Sequence, residues 1–222
     1  MRNYLLLILL FLLFANGTFA QQQGFNQSLA DSLASWVITD QIAAKPPEGK
    51  YKSMSKDQID RFEDSVFTTH QKLLSNILNK YGYPGYDLVG KKGSNEFWLM
   101  VQHCDKVPAF QQQVLDAMQK ELPKQNADPR NFAYLTDRVR LNTGKKQVYG
   151  TQLKYNTSLC QAIPRDLTDS LNVNHRRKEV GLEPVEQYLN QMSELHFMMN
   201  KANYEKRGIT GPKLIKVPKE EQ

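Results

Sequence analysis

Cysteine is scarce in this 222-residue sequence, and apolar runs of membrane-spanning length are missing. The two cysteines, Cys104 and Cys160, are too few for a cysteine-based zinc site. The apolar run at residues 5–14 covers about 10 residues, whereas a membrane-spanning helix needs about 20. The sequence therefore excludes a zinc site built from cysteines and gives no sign of a spanning helix.

Patterns of the common enzyme classes are also missing. The sequence has no Gly-x-Ser-x-Gly, no Walker phosphate-binding loop and no dinucleotide-binding fingerprint. Neither a His-x-x-x-His nor a Glu-x-x-His pattern surrounds His103, so we expect no metal and no cofactor. The formal net charge is +6, but the basic residues are spread along the chain instead of forming one basic face. We therefore expect no nucleic-acid partner.

The amino terminus carries the features of an export signal. Arg2 precedes the apolar run, and the sequence Gly-Thr-Phe-Ala follows at positions 17–20, ending at the small residue Ala20. This order is typical of a secretory signal peptide with cleavage near Ala20. We expect a periplasmic or secreted protein with no stable membrane anchor after cleavage. In such an oxidising compartment Cys104 and Cys160 could form a disulfide, with two buried free thiols as the alternative.

Helical periodicity dominates the rest of the sequence. Helix start signals at Ser28, Ser55 and Asp128 precede apolar residues at helical spacing. The fold class predicted is mainly α: a compact domain of six to eight helices, with at most a small β-hairpin or extended segment around residues 144–155. The predicted organisation is a signal peptide at 1–20, an N-terminal helix and proline-rich linker at 21–50, a helical domain at 51–200 and a basic flexible tail at 201–222.

Two local predictions concern the second helix and the segment that follows it. His70 lies among apolar positions, so we expect a packed, hydrogen-bonded histidine and not a ligand to a metal. Residues 82–93 are rich in glycine and predict a loop before a helix from Phe97 to Asp105.

The strongest candidate for a site is the polar segment at residues 135–152, where a helix ends and a polar loop follows. A histidine oriented by a carboxylate is the usual arrangement for general base catalysis, and Asp137 could orient His103 if their helices pack. His103 is badly placed to activate Cys104 as a nucleophile, because adjacent residues of a helix point about 100° apart. The catalytic candidates are His103, Asp137 and Arg138; the ligand-binding candidates are Gln147, Tyr149, Thr151, Gln152 and Arg176.

Five short motifs occur in order along residues 56–192. They are Gly-Tyr-Pro at 82–84, Gln-His-Cys-Asp at 102–105, Leu-Thr-Asp-Arg-Val at 135–139, Gln-Val-Tyr-Gly-Thr-Gln at 147–152 and Arg-Arg-Lys-Glu-Val-Gly-Leu at 176–182.

This order resembles an uncharacterised bacterial family, a domain of unknown function whose motifs are Gly-Trp-Pro, Gln-His-Ala-Asp, Leu-Thr-Asp-Arg-Val, Gln-x-Tyr-Gly-Thr-Gln and Arg-Arg-x-x-Val-Gly-Leu. The chain departs from it at Tyr83, where tryptophan is usual, and at Cys104, where alanine is usual. The resemblance implies a shared pocket formed by His103, Asp137, Arg138 and residues 149–152, and it implies no particular reaction.

Three functional hypotheses follow. The first is an exported domain that binds a small polar or anionic ligand, or a protein partner, through a polar pocket. The second is a hydrolase-like enzyme with His103 as base, Asp137 orienting it, and Arg138 with Gln152 holding an oxyanion. The third is a purely structural polar network that fixes the helices and the loop.

Overall fold

This computed structural model describes residues 24–45 and 48–218. Within these residues the chain forms eight α-helices and one two-stranded hairpin. The predicted signal peptide lies outside these residues. The helices are α1 Gln27–Ala43, α2 Lys56–Tyr81, α3 Tyr86–Gln102, α4 Pro108–Glu121, α5 Pro129–Asn142, α6 Val173–Glu179, α7 Val185–Met199 and α8 Lys201–Glu205. Short 3-10 turns occur at Gly49–Ser53, Leu122–Lys124 and Ser170–Asn172.

The mainly α fold class predicted from the sequence is confirmed. Strands β1 Leu153–Asn156 and β2 Gln161–Pro164 pair antiparallel, so the hairpin begins within the predicted segment at residues 144–155 and continues beyond it. Within the described ranges, no helix is both long and apolar enough to cross a membrane.

Local capping chemistry fixes several helix starts. Ser55 accepts a hydrogen bond from the backbone of Gln58, whose side chain accepts one from the backbone of Ser55, so the predicted capping box is present. Asp128 caps α5, with Pro129 at its first position. The first helix begins two residues earlier than expected, because Asn26 and not Ser28 provides its cap.

The prediction of a loop at residues 82–93 is wrong for most of these residues. Helix α3 begins at Tyr86 and continues to Gln102, with a kink at Gly90, whose φ of 71° lies in the left-handed region. Glycine adopts this conformation without the steric cost that a Cβ atom brings. Gly90 therefore bends α3 instead of ending it, and the turn before the helix is confined to residues 82–85.

Two apolar clusters hold the elements together. The larger one lies among α1 to α5 and includes Leu33, Leu74, Phe97 and Met118, each almost fully buried. The smaller one lies between the hairpin, α6 and α7. The carboxyl-terminal segment also packs on this smaller cluster through Ile215, so part of the predicted tail is attached to the domain.

Candidate functional site

A buried carboxylate, Asp40 of α1, lies between two histidines from other parts of the chain. Nδ1 of His103 is 2.7 Å from Asp40 Oδ2, and Nδ1 of His70 is 3.3 Å from Asp40 Oδ1. Gln41 donates a further hydrogen bond of 3.2 Å to Oδ2. His70 is buried on α2, as predicted, whereas the His103 side chain, at the end of α3, keeps 22% of its surface exposed.

Asp40 is ionised in this cluster. Burial acts to raise its pKa, but hydrogen bonds from His103 and His70, together with the attraction of these rings when they are protonated, outweigh burial and leave the pKa below its ordinary value. A carboxylate has only acceptors, so each ring donates its Nδ1–H, and a neutral His103 then carries its lone pair on Nε2. The hydrogen bonds among the described residues leave this Nε2 atom without a partner.

His103 lines a cleft of about 500 Å³ between α2 and the loop that joins α3 to α4. Lys106 from the loop forms an ion pair of 2.5 Å with Asp64 from α2, across the two sides of this cleft. Acidic side chains outnumber basic ones in the lining, which therefore favours positive or neutral polar groups over anions. The residues that line it are Asp60, Glu63, Asp64, Phe67, Thr68, Gln71, His103, Asp105, Lys106 and Val107.

The His103 ring is held on two sides. Asp40 fixes one edge by its hydrogen bond, and the Phe67 ring packs against it with ring centroids 5.0 Å apart. A ring anchored in this way keeps one orientation, so its free nitrogen has a defined direction.

Asp105 is a second carboxylate with a fixed orientation at the cleft. Arg138 donates to its Oδ2 at 2.7 Å, while Asn142 at 2.8 Å and Gln111 at 3.2 Å donate to its Oδ1. Arg138 also donates to the side-chain oxygen of Gln102 at 3.0 Å. The structure thus connects Arg138 to the region of His103 only indirectly, through the Asp105 carboxylate that it holds in place.

The predicted pairing of Asp137 with His103 is not found. The Asp137 carboxylate is fully buried and accepts hydrogen bonds from the backbone N–H groups of Val148, Tyr149 and Thr151, at 2.6 to 3.2 Å. The Thr151 hydroxyl donates another at 3.0 Å. Asp137 and Arg138 are adjacent on a helix and point about 100° apart, so only one of them can reach the His103 side.

The loop at residues 147–152 is held from within as well. Gln147 is fully buried; its amide donates to the carbonyls of Gln152 and Arg165 and its oxygen accepts from the Gln152 N–H. Gly150 has a φ of 72°, and a Cβ atom there would lie 3.2 Å from Val185 Cγ2. Both the backbone conformation and the close packing of this turn therefore require glycine.

Two adjacent arginines of α6 bind the same loop. Arg176 donates to the carbonyl of Val148 at 2.9 Å, and Arg177, which is fully buried, donates to the carbonyl of Tyr149 at 2.8 Å. Burial lowers the pKa of Arg177, while the negative charge of Glu183 opposes that shift.

The structure brings the predicted ligand-binding residues together; they are Gln147, Tyr149, Thr151, Gln152 and Arg176. The hydrogen bonds described above for these residues are all made to other parts of the protein. This arrangement favours the structural hypothesis for the loop. A ligand-binding role for these residues stays a prediction.

Both cysteines are free in the structure, so the disulfide considered for Cys104 and Cys160 is not formed. Cys104 packs in the larger apolar cluster, and its thiol lies 3.5 Å from the carbonyl of Met100. Burial, with a smaller effect of the charges on Asp40 and Asp105, raises the pKa of Cys104 to about 12. A thiol with such a pKa is not a nucleophile at neutral pH.

Asp40 is not among the residues predicted for the site, although the sequence contains a signal for it. Asp40 follows Leu33 by seven residues and therefore lies on the same face of α1, which is the buried one. An acidic residue on a buried helix face needs a partner that satisfies its charge. Histidine residues elsewhere in the chain were the available candidates.

Within the described residues, no group of three or more histidine, cysteine, aspartate or glutamate side chains is arranged to hold a metal ion. The fold and the site together define a helical domain with a histidine–aspartate pair at an acidic cleft. Residues 25–200 match the family model of DUF6624, a family of unknown function, and the chain belongs to this family. Comparisons with curated proteins and with solved structures gave no match.

Proposed function

We propose that the cleft beside His103 binds a polar substrate and that His103 acts there as a general base. The observation that supports this proposal is the 2.7 Å hydrogen bond between Asp40 and Nδ1 of His103, a residue that lines the cleft. This is the arrangement by which a carboxylate sets the tautomer of a catalytic histidine. The enzyme hypothesis is thus kept, with Asp40 in the role first given to Asp137.

The proposed chemistry is proton abstraction from water or from a hydroxyl group of the substrate. Nε2 of His103 takes the proton, the oxygen bonds to the electrophilic atom of the substrate, and Asp40 stabilises the imidazolium that forms. The bond from that atom to the leaving group then breaks, and the leaving group takes the proton back from Nε2, which restores the neutral histidine. Hydrolysis by a directly activated water fits the site better than covalent catalysis, because burial raises the pKa of the neighbouring Cys104 thiol and makes it unreactive.

The charge of the cleft narrows the class of substrate. Asp60, Glu63, Asp64 and Asp105 line it with one lysine, Lys106, which already pairs with Asp64. We therefore propose a neutral polar or positively charged substrate and do not keep the anionic ligand considered from the sequence. Binding of a protein partner through the same cleft is the alternative.

Export of the protein is also part of the proposal. It rests on the amino-terminal sequence, in which Arg2, an apolar run and Ala20 follow the order of a signal peptide. We further propose that the five ordered motifs described above are a signature of the family.

Substitution of His103 tests the proposed function. The change His103→Asn keeps a hydrogen-bond donor that can reach Asp40 but removes the base. We expect the wild-type chain to hydrolyse at least one member of a panel of uncharged and cationic ester, amide and glycoside substrates, and His103→Asn to lower that rate about 100-fold or more.

The control variant is His175→Asn, which changes an exposed histidine of α6 that pairs only loosely with Glu179, at 3.6 Å. It should hydrolyse the substrate at the wild-type rate. Equal rates for the wild-type and His103→Asn chains, or no turnover of any substrate in the panel, would count against the proposal. Thermal unfolding of each variant separates a lost base from a lost fold.

A further inference from the structure

The segment that follows α8 lies in a groove between α7 and the hairpin. Within residues 211–218 it has no regular secondary structure. Its N–H at Lys213 donates to the carbonyl of Leu159, at the turn of the hairpin, over 3.0 Å. The contacts at Ile215 are made to α7, so the segment crosses from the hairpin turn to that helix.

Asn190 of α7 binds both backbone groups of Ile215. The Ile215 N–H donates to Asn190 Oδ1 at 2.8 Å, and Asn190 Nδ2 donates to the Ile215 carbonyl, also at 2.8 Å. A side-chain amide that pairs in this way with a single extended residue recognises the backbone and not the side chain. Recognition of extended peptides commonly combines backbone hydrogen bonds with a pocket for one side chain.

The side chain of Ile215 supplies this second element. It packs against the smaller apolar cluster, whose buried members are Ala162, Val173, Val185 and Leu189. The preceding residue, Leu214, is 48% exposed, so the two apolar residues face different sides. The groove thus selects one aliphatic side chain and leaves its neighbour in solvent.

The groove and the segment that fills it belong to different parts of the chain. Asn190 and the cluster residues lie within residues 25–200, which match the family, whereas residues 211–218 lie outside that range. The hydrogen bonds that the structure shows for residues 211–218 go to Leu159 and Asn190 and not to other residues of the segment. A segment held only by a groove can be exchanged for another with the same features.

We propose that the groove at Asn190 is a binding site for an extended peptide with one branched aliphatic side chain, and that the chain's own residues 211–218 occupy it as an internal competitor. A peptide from a partner protein binds when it displaces this segment. The site is separate from the His103 cleft, and the proposal does not depend on the proposed hydrolysis.

The test uses the full chain and a labelled synthetic peptide with the sequence of residues 209–218. The change Ile215→Asp places a charge in the apolar pocket and should release the segment while leaving the groove intact. We expect the peptide to bind this variant about 10-fold or more tighter than it binds the wild-type chain, in which the tethered segment competes at high effective concentration.

Two further variants make the result specific. Leu214→Asp, at the exposed neighbouring position, should behave as the wild-type chain does. Adding Asn190→Ala to Ile215→Asp should lower peptide binding about 10-fold or more, because both backbone hydrogen bonds are lost. Hydrogen exchange at the Lys213 and Ile215 amides reports whether the segment has been released, and circular dichroism reports whether each variant is folded.

Three results would overturn the proposal. The first is a released segment in Ile215→Asp without binding of the peptide. The second is unchanged hydrogen exchange in that variant, which would mean that Ile215 does not anchor the segment. The third is a wild-type chain that dimerises by exchanging these segments, which would make a second copy the occupant.

Discussion

At the scale of single residues, two buried carboxylates have different uses. Asp137 is surrounded by backbone N–H groups of the loop that it fixes, so its donors cannot change their protonation. Asp40 accepts from two imidazole rings, and an imidazole ring can gain or lose a proton. The first carboxylate therefore organises structure, whereas the second can take part in proton transfer.

Replacing Asp137 tests its structural role. The change Asp137→Ala leaves the N–H groups of Val148, Tyr149 and Thr151 without an acceptor in a largely buried loop. Each unsatisfied group costs about 1–3 kcal/mol, so we expect the free energy of unfolding in urea to fall by about 3–5 kcal/mol. The matched control is Asp116→Ala, whose carboxylate accepts from Gln112 on an exposed helix face, and it should change stability by less than about 1 kcal/mol. Similar effects of the two changes would contradict the role assigned to Asp137.

At the scale of elements, the kink in α3 depends on one backbone conformation. The change Gly90→Ala places a Cβ atom 3.5 Å from the Phe25 ring, an ordinary contact, so crowding is not the obstacle. The combination of φ 71° and ψ 169° is the obstacle, because it is adopted almost only by glycine and costs a residue with a Cβ atom about 1–3 kcal/mol. We expect thermal unfolding of Gly90→Ala to show a loss of this size. Gly24→Ala, where φ is not positive and no atom lies within 4 Å, should have no such effect, and a loss there as large as at Gly90 would refute the explanation.

The same elements show which parts of the fold the sequence predicts. The capping box at Ser55 and the start of α5 at Asp128 were predicted because their signals lie within a few residues of the helices that they begin. The kink at Gly90 was missed because a glycine can end a helix or bend it, and packing of neighbouring elements decides between these outcomes.

The candidate site was predicted only in part, because it too depends on how neighbouring elements pack. His103 was identified as a base from its chemistry, but its partner is 63 residues away in sequence, on a helix whose packing the sequence does not reveal. Asp137 was the nearer candidate along the chain. Its carboxylate accepts hydrogen bonds from the backbone of the loop at residues 147–152 instead, and that loop conformation depends on a glycine at positive φ. Contacts within a helix were predicted, and contacts between helices were not.

At the scale of the whole molecule, Asp40 connects three helices through one side chain. It lies on α1, accepts from His70 on α2 and accepts from His103 at the end of α3. The direction of the His103 ring therefore depends on how the first three helices pack. Stability of the domain and geometry of the cleft are coupled through this carboxylate.

The dependence of stability on acid should report this coupling. Burial raises the pKa of Asp40, and the histidines lower it by more, so its pKa is lower in the folded chain than in the unfolded one. Its contribution to the free energy of unfolding is then complete above the unfolded pKa of about 4 and is lost as the pH falls through the folded value.

We expect the stability difference between the wild-type chain and Asp40→Asn, measured by urea unfolding from about pH 5 to about pH 3, to shrink steadily as the pH falls below about 4. Taking the difference removes the contribution of the other carboxylates to the pH dependence, because both chains contain them. Asp116→Asn, which alters a carboxylate on an exposed helix face, should differ little from wild type throughout this range. A wild-type advantage over Asp40→Asn that is as large at pH 3 as at pH 5 would mean that Asp40 is not held ionised by its histidines, and the assignment of His103 as an oriented base would then lose its physical ground.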